Sequence, residues 1–285
     1  MNALATFGGI WNSVQAWLLP PLEDEIGELD DKHRQFVAVC EICALQEHMA
    51  DYRWVGNGCP PKDRLALCKA FIAKAVWNFQ TTRDLRDEIR HRPILRRLCG
   101  WETLGMVPSE STFSRSFGDF AHDTLPQRIH QAMIEARYGD KIAGHVNRDS
   151  TAIDAREKAA GKKPEKPKPS GKRGRRPADE PPAIPEPTRL QRQLERTLEQ
   201  NLADLPCTCD WASKRNSKGK VEHWRGYKAH LDVIDGDIPV SFILLHLHDE
   251  HGGRHVRVRG AIKVAAHLAF GLVAIAADQM LKLLG

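Results

Sequence analysis

The sequence lacks the short motifs of nucleotide-binding and zinc-protease chemistry. Its 285 residues contain no phosphate-binding loop, no G-x-G-x-x-G and no H-E-x-x-H, so these functions have no support. No apolar run reaches the about 20 residues of a membrane helix. The longest, from Val264 to Ala277, contains His267 and predicts a buried helix rather than a membrane span.

A secretion signal is also missing. The N-terminus has no basic region, and Asn12 and Gln15 interrupt its apolar run, which does not fit a signal peptide. We therefore expect a soluble bacterial cytoplasmic protein with reduced thiols.

The seven cysteines show no framework spacing. Cys40 and Cys43 have C-x-x-C spacing, but they lie in an amphipathic helical pattern with no second pair nearby. Packing in a core is therefore favoured over zinc or redox chemistry. The same holds for "CTCD" at 207–210, and the thirteen histidines show no zinc-finger spacing.

Positive charge is concentrated locally. The formal net charge is +5, but from Arg156 to Arg176 there are ten Lys or Arg against two Glu, with Pro and Gly between them. Such composition cannot bury a core. We therefore expect a disordered basic tether over residues 156–188.

Residues 30–139 show helical periodicity. Pro60 and Pro61 are expected to start a second helix, Gly100 to end a third, and Ser109 or Ser111 to cap the last. Short helices separated by Pro and Gly predict an all-helical N-terminal domain over residues 1–140.

After Gly139 the pattern changes to that of strands. Alternation in "GHVNRDSTAIDA" predicts a strand at about 144–154, within a segment 141–155. "HWRGYKAHLDVI" and "IPVSFILLHL" predict a hairpin joined by "DGD". A single helix is predicted from the leucine stripe of "RLQRQLERTLEQNLADL". The last segment, 254–284, is predicted to be basic first and then an apolar helix. The fold class is thus α+β, with a second domain at 189–285.

Two groups of residues could carry a function. Asp149, at the centre of a short strand, could hold a divalent metal, with Asp154 as its competitor, although an aspartate there is more often structural. Basic side chains interleaved with aromatics suit binding to a nucleic-acid backbone, but also a solvated face. The predicted DNA-binding residues are Lys214, Arg215, Lys218, Lys220, Arg225, Lys228, Arg254, Arg257, Arg259 and Lys263.

Three stretches, "HVNRDSTAIDAREKA", "KRNSKGKVEHWRGYKAHLDVIDGDIPVS" and "GGRHVRVRGAIKVAAHLAFGLVAIAADQMLKLL", resemble insertion-sequence transposases with a DDE, ribonuclease-H-like core. "DDKHRQFVAVCEICALQEHM" and "PSESTFSRSFGDFA" resemble the family's helical N-terminal domain, which holds the transposon ends. The likeness extends over nearly the whole chain except the tether, in family order.

The resemblance implies DNA transposition by two-metal phosphoryl transfer. Three carboxylates would hold two cations, usually Mg²⁺. The first maps to Asp149. The Glu belongs to a pattern Y-x-x-R-x-x-x-E-x-x-x-x-x-x-K, and "DEHGGRHVRVRG" resembles the family segment directly after that Lys. With His248 at the Lys position, Ser241 stands at the Glu position.

The second Asp and its strand have no counterpart, so the chain resembles an internally deleted transposase. The resemblance therefore implies a truncated ribonuclease-H-like core of about three antiparallel strands with a C-terminal helix, a single metal ligand and no catalysis. The missing strands would leave an edge uncovered, from which we expect poor stability or association.

Three functions remain open at this point. The chain could be a transposase in the nucleoid that binds transposon ends, or a DNA-binding remnant that competes with a full-length transposase. It could instead be a helical interaction protein unrelated to DNA. Its partners would be DNA and either a second copy or a full-length transposase, with no membrane involved.

Overall fold

A computed structural model describes residues 14–58, 60–159, 187–205, 208–215, 218–245 and 258–283. Within these residues the chain forms ten α-helices and four strands. The helices are α1 Leu19–Ile26, α2 Asp31–Ile42, α3 Arg64–Val76, α4 Thr82–His91, α5 Pro93–Cys99, α6 Glu110–His122, α7 Leu125–Tyr138, α8 Arg189–Gln193, α9 Leu198–Ala203 and α10 Ala261–Lys282. The strands are β1 Val146–Asp154, β2 Asp210–Arg215, β3 Val221–Ile234 and β4 Ile238–Leu245.

Side-chain caps fix where the N-terminal helices begin. Asp63 accepts hydrogen bonds from the backbone N–H groups of Leu65 and Ala66, so α3 begins at Arg64 and not at the predicted prolines. Ser109 caps α6. Gly100 ends α5 in the left-handed conformation, at φ 111°, where a residue with a Cβ would be strained. The predicted caps at these last two positions are confirmed.

Two helices that were predicted as continuous are divided. Pro93 separates α4 from α5, because its ring has no N–H to continue the helical bonding. Thr124 lies in the left-handed region at φ 51° and separates α6 from α7, with a proline in the first turn of α7. This second break has no glycine, so local sequence patterns indicate it only weakly.

The single helix predicted from the leucines of residues 189–205 is wrong. Two short helices, α8 and α9, occupy this segment. Thr197 lies between them and exchanges capping hydrogen bonds with Gln200, which starts a new helix. Leu194 and Leu198 are 88% and 75% exposed, so they do not form a buried stripe.

The four strands form one antiparallel sheet around the long strand β3. Strand β1 pairs with one side of β3, from Asp154 opposite Gly226 to Val146 opposite Ile234. Strands β2 and β4 pair with different halves of the other side. The predicted hairpin between β3 and β4 is confirmed. Strand β2 was not predicted, because its sequence was interpreted as a basic loop.

The C-terminal helix α10 joins the sheet to the helices. Val264 packs with Ile153, Tyr227 and Leu244 of the sheet, as predicted. The same helix also enters the helical core, where the ring of Phe270 lies 5.6 Å from that of Phe71. Helix α10 is therefore shared between two cores.

By length and apolar composition α10 could span a membrane, although half of its most apolar window is buried inside the protein. The helix is longer than the apolar run from which it was predicted. Its packing against α2, α3, α6, α7 and β4 is that of a core helix.

Gly226 allows three strands to meet. It is the register partner of both Asp154 and Asp210, and a Cβ placed on it would overlap the carbonyl oxygen of Ile153. We expect Gly226→Ala to lower the free energy of unfolding by about 2 kcal/mol, since backbone atoms would have to move.

Gly271→Ala is the matched control for this variant. Gly271 lies inside α10, and apart from its chain neighbours and the local helix backbone no atom lies within 4 Å of a Cβ placed on it. This substitution should instead stabilise the protein by roughly 0.5–1 kcal/mol. Urea denaturation of the two variants measures both effects, and equal stabilities would contradict the expectation.

Candidate nucleic-acid interface

Asp149 lies on the edge strand β1. Its register partner is Leu231 of β3, and in the part of the chain that the structure describes β1 pairs with no other strand. The residue is exposed, and its Oδ1 accepts the backbone N–H of Ser150 at 2.7 Å. One carboxylate oxygen is therefore already engaged.

A second carboxylate does not join Asp149 along this strand. Asp154 is five residues further on, about 17 Å away at the rise of a strand, and it lies on the opposite face because side chains alternate. Among the described residues, no group of three or more His, Cys, Asp or Glu could hold a metal ion. Asp249 and Glu250 lie outside these residues.

The described residues therefore do not fit a two-metal site. Two-metal catalysis needs several oxygens preplaced around both ions, and Mg²⁺ otherwise keeps its waters. Asp149 is the one carboxylate of the expected triad that lies in the described strands, and no second metal ligand of that triad lies beside it there.

A polar cluster occupies the other face of the sheet. Arg148 donates from Nε to Asp232 Oδ1 at 2.6 Å and from Nη2 to Asp232 Oδ2 at 2.9 Å. Ser241 Oγ also donates to Asp232, at 2.7 Å. The hydrogen bonds from Arg148 and Ser241 lower the pKa of Asp232 to about 2.

This cluster gives Ser241 a structural role. The serine, which the resemblance aligned with the Glu position, lies in register on the face opposite Asp149. Sequence reasoning missed Asp232. Alternation along β3 separates Asp232 from Leu231, the register partner of Asp149, and puts it on the other face. Its pairing with Arg148 could not be predicted, because it depends on the register between two distant segments of the chain.

Strands β2 and β3 form a hairpin with basic residues at its tip, which we call the basic hairpin, residues 210–226. Arg215, Lys218 and Lys220 are exposed near its turn, and Gly219 takes a positive φ of 76° there. The side chain of Lys214 and the structure of residues 216–217 lie outside the described part. The hairpin extends about 17 Å from base to tip at the rise of a strand.

The base of the basic hairpin lies near the start of α10. The Arg225 guanidinium lies 5.9 Å from the ring centre of Trp211. Glu157 accepts the backbone N–H of Gly260 at the start of α10, and its own carbonyl accepts a hydrogen bond from Cys209 beside β2. The exposed Arg259 is therefore next to the base of the hairpin.

Other predicted DNA-binding residues do not share this surface. Lys228 lies on the opposite face of β3 from Arg225, as strand alternation requires. Lys263 lies near Gly118 of α6, since its Cε is 3.8 Å from a Cβ placed on that glycine. Arg254 and Arg257 lie outside the described residues.

Arginines on the helical domain are mostly engaged in ion pairs. Examples are Arg64 with Asp119 at 2.7 Å, Arg92 with Glu88 at 2.6 Å and Arg128 with Asp51 at 3.0 Å. Such pairs neutralise part of the positive charge of this surface.

The cysteines of the helical domain pack in its core. Cys40, Cys43, Cys68 and Cys99 are buried and free. Burial raises the pKa of Cys43 and of Cys99 to about 12, so these groups remain thiols rather than the thiolates that bind metals. The prediction of core packing for the C-x-x-C pair is confirmed.

A helical domain followed by an antiparallel sheet with a basic hairpin defines an α+β protein, which confirms the predicted class. Residues 22–118 match the family model described as Transposase domain (DUF772). The match covers about a third of the chain and contains α2 to α5 and much of α6. Residues 22–118 are therefore similar to a transposase domain, which supports the expected transposase family. Comparisons with curated proteins and with solved structures found no match.

Proposed function

We propose that this protein binds DNA as a member of a transposase family and that its sheet is the remaining first part of a DDE, ribonuclease-H-like core. The observation that carries the proposal is the order of the parts. A transposase domain at 22–118 is followed by three strands, β1, β3 and β4, that pair next to one another, with Asp149 on the outer one.

The connection between β4 and α10 supports an internal deletion. In the intact family, the second Asp and the Glu would lie between the third strand and the last helix. Here β4 ends at Leu245 and α10 begins at Ala261. So short a connection has no room for a further strand and two further helices.

DNA would lie along the basic hairpin. Its exposed tip residues Arg215, Lys218 and Lys220 and the base residues Arg225 and Arg259 would contact phosphates, which give affinity without reading sequence. Trp211 would supply an aromatic surface beside them. The predicted partner is transposon-end DNA in the bacterial cytoplasm.

Strand transfer is not part of the proposed activity. Asp149 alone cannot hold two cations in bridging geometry, so the chain would bind DNA and leave it uncut. Such a protein would compete with a full-length transposase for the same transposon ends.

Salt titration tests the DNA-binding proposal. Three tip contacts alone should give a slope of about 2.7 in log affinity against log salt, so that affinity falls at least about fortyfold between 50 and 200 mM salt. Fluorescence anisotropy with labelled duplex DNA measures this slope. An affinity that does not change with salt would contradict DNA binding through this surface.

A further inference from the structure

Residues 188–205, which we call the leucine segment, form two short helices with similar starts. Thr188 exchanges capping hydrogen bonds with Gln191 at the start of α8. Thr197 does the same with Gln200 at the start of α9. The sequence of this segment therefore specifies two helices with a break, since each threonine side chain bonds to the backbone as an N-cap.

Polar contacts hold these two helices against each other. Asn201 Nδ2 donates to the carbonyl oxygens of Gln193 and Arg196, at 3.3 and 3.4 Å. Arg196 Nη1 lies 3.3 Å from Asp204 Oδ2. The folded form of the segment is thus maintained without burying Leu194 or Leu198.

Those two leucines are the most exposed of the leucines whose side chains the structure describes, at 88% and 75%. They are four residues apart on either side of the break. Two strongly exposed leucines in one short segment are candidates for a surface that binds a partner.

The charges of the segment indicate which partner fits. The first half, residues 188–196, has three Arg and one Glu, and the second half, residues 197–205, has one Glu and one Asp with no basic residue. The halves thus carry opposite charge. If a second copy binds in antiparallel orientation, the positive half of each copy lies against the negative half of the other. In a parallel arrangement, halves of like charge would lie together and repel each other.

We propose that the leucine segment binds the same segment of a second copy of this chain, antiparallel, with Leu194 and Leu198 of both copies buried between them. Such a contact is isologous and closes as a dimer. The segment is small, so the dimer is weak and reversible. This inference does not depend on DNA binding.

Sedimentation velocity of the full chain over a concentration series, without DNA, tests the proposal. The wild-type protein should pass from monomer to dimer as concentration rises. Leu194→Ser with Leu198→Ser should weaken dimerisation about a hundredfold or more. Val55→Ser with Ile142→Ser is the matched control, since these residues are 91% and 99% exposed elsewhere, and it should dimerise as the wild type does.

Charge reversal tests the orientation. Arg189→Glu with Arg192→Glu makes both halves negative. Glu199→Arg with Ala203→Arg makes both positive and keeps the Arg196–Asp204 pair. Each variant alone should be monomeric, and an equimolar mixture should form a heterodimer. Far-UV circular dichroism establishes that all variants remain folded.

Several results would overturn the proposal. They are a wild-type chain that stays monomeric at every concentration, a leucine variant that dimerises as tightly as the wild type, charge-reversed variants that each dimerise alone, and a mixture of them that does not associate.

Discussion

Neutralising the tip of the basic hairpin with Arg215→Gln, Lys218→Gln and Lys220→Gln is expected to weaken duplex-DNA binding on the order of a thousandfold at about 50 mM salt. Each phosphate contact that is removed takes away the release of its counterion. The salt slope should therefore fall by about 0.9 for each side chain. The loss should be nearly the same for unrelated duplex sequences, because phosphate contacts carry no sequence information. Fluorescence anisotropy measures both quantities.

The control places the same charge change on the helical domain. Arg64→Gln, Arg92→Gln and Arg128→Gln remove three arginines that are paired with carboxylates. Because these arginines lie on the helical domain and not on the basic hairpin, this variant should bind DNA much as the wild type does. A large loss in the control and none in the hairpin variant would move the interface to the helical domain.

Phe71→Ala is expected to have the largest effect on stability, lowering the free energy of unfolding by about 3–5 kcal/mol. Phe71 is 2% exposed in the centre of the helical core. Its ring lies 5.1–6.2 Å from four others, which are those of Phe113, Phe117, Phe120 and Phe270. Truncation to alanine would leave a cavity where α3, α6 and α10 meet, so all three helices would lose packing contacts.

Val55→Ala is the control for this prediction. Val55 is 91% exposed, and its truncation should change stability by no more than about 0.5 kcal/mol. Urea denaturation followed by circular dichroism compares the two variants. A loss below about 1 kcal/mol for Phe71→Ala would mean that the helices and α10 do not share one core.

Local patterns predicted most of the secondary structure. Alternation indicated β1 and the hairpin of β3 and β4, and caps such as Ser109 indicated helix ends, because these signals depend on neighbouring residues. Strand β2 was missed, because its basic residues resembled a solvated loop and only pairing with β3 makes it a strand. The break at Thr197 was missed, because the leucine spacing suggested one continuous helix.

The candidate site was less predictable, because it depends on contacts between distant segments. Asp149 could be placed on its strand from the sequence. The pairing of Arg148 with Asp232, and the joining of Cys209 and Gly260 through Glu157, depend on the folded sheet. Lys228 was grouped with Arg225 by sequence proximity, although alternation along β3 puts them on opposite faces.

Under the proposed function this chain binds DNA without cutting it, and a nicking assay tests that behaviour most directly. Purified protein is incubated with supercoiled plasmid that carries the DNA flanking its gene, with Mg²⁺ or Mn²⁺. The chain and its Asp149→Ala variant should both bind this DNA with nearly equal affinity, and neither should nick or join it. Metal-dependent cleavage by the wild type that disappears in Asp149→Ala would contradict the proposed function and would mean that other carboxylates complete the site.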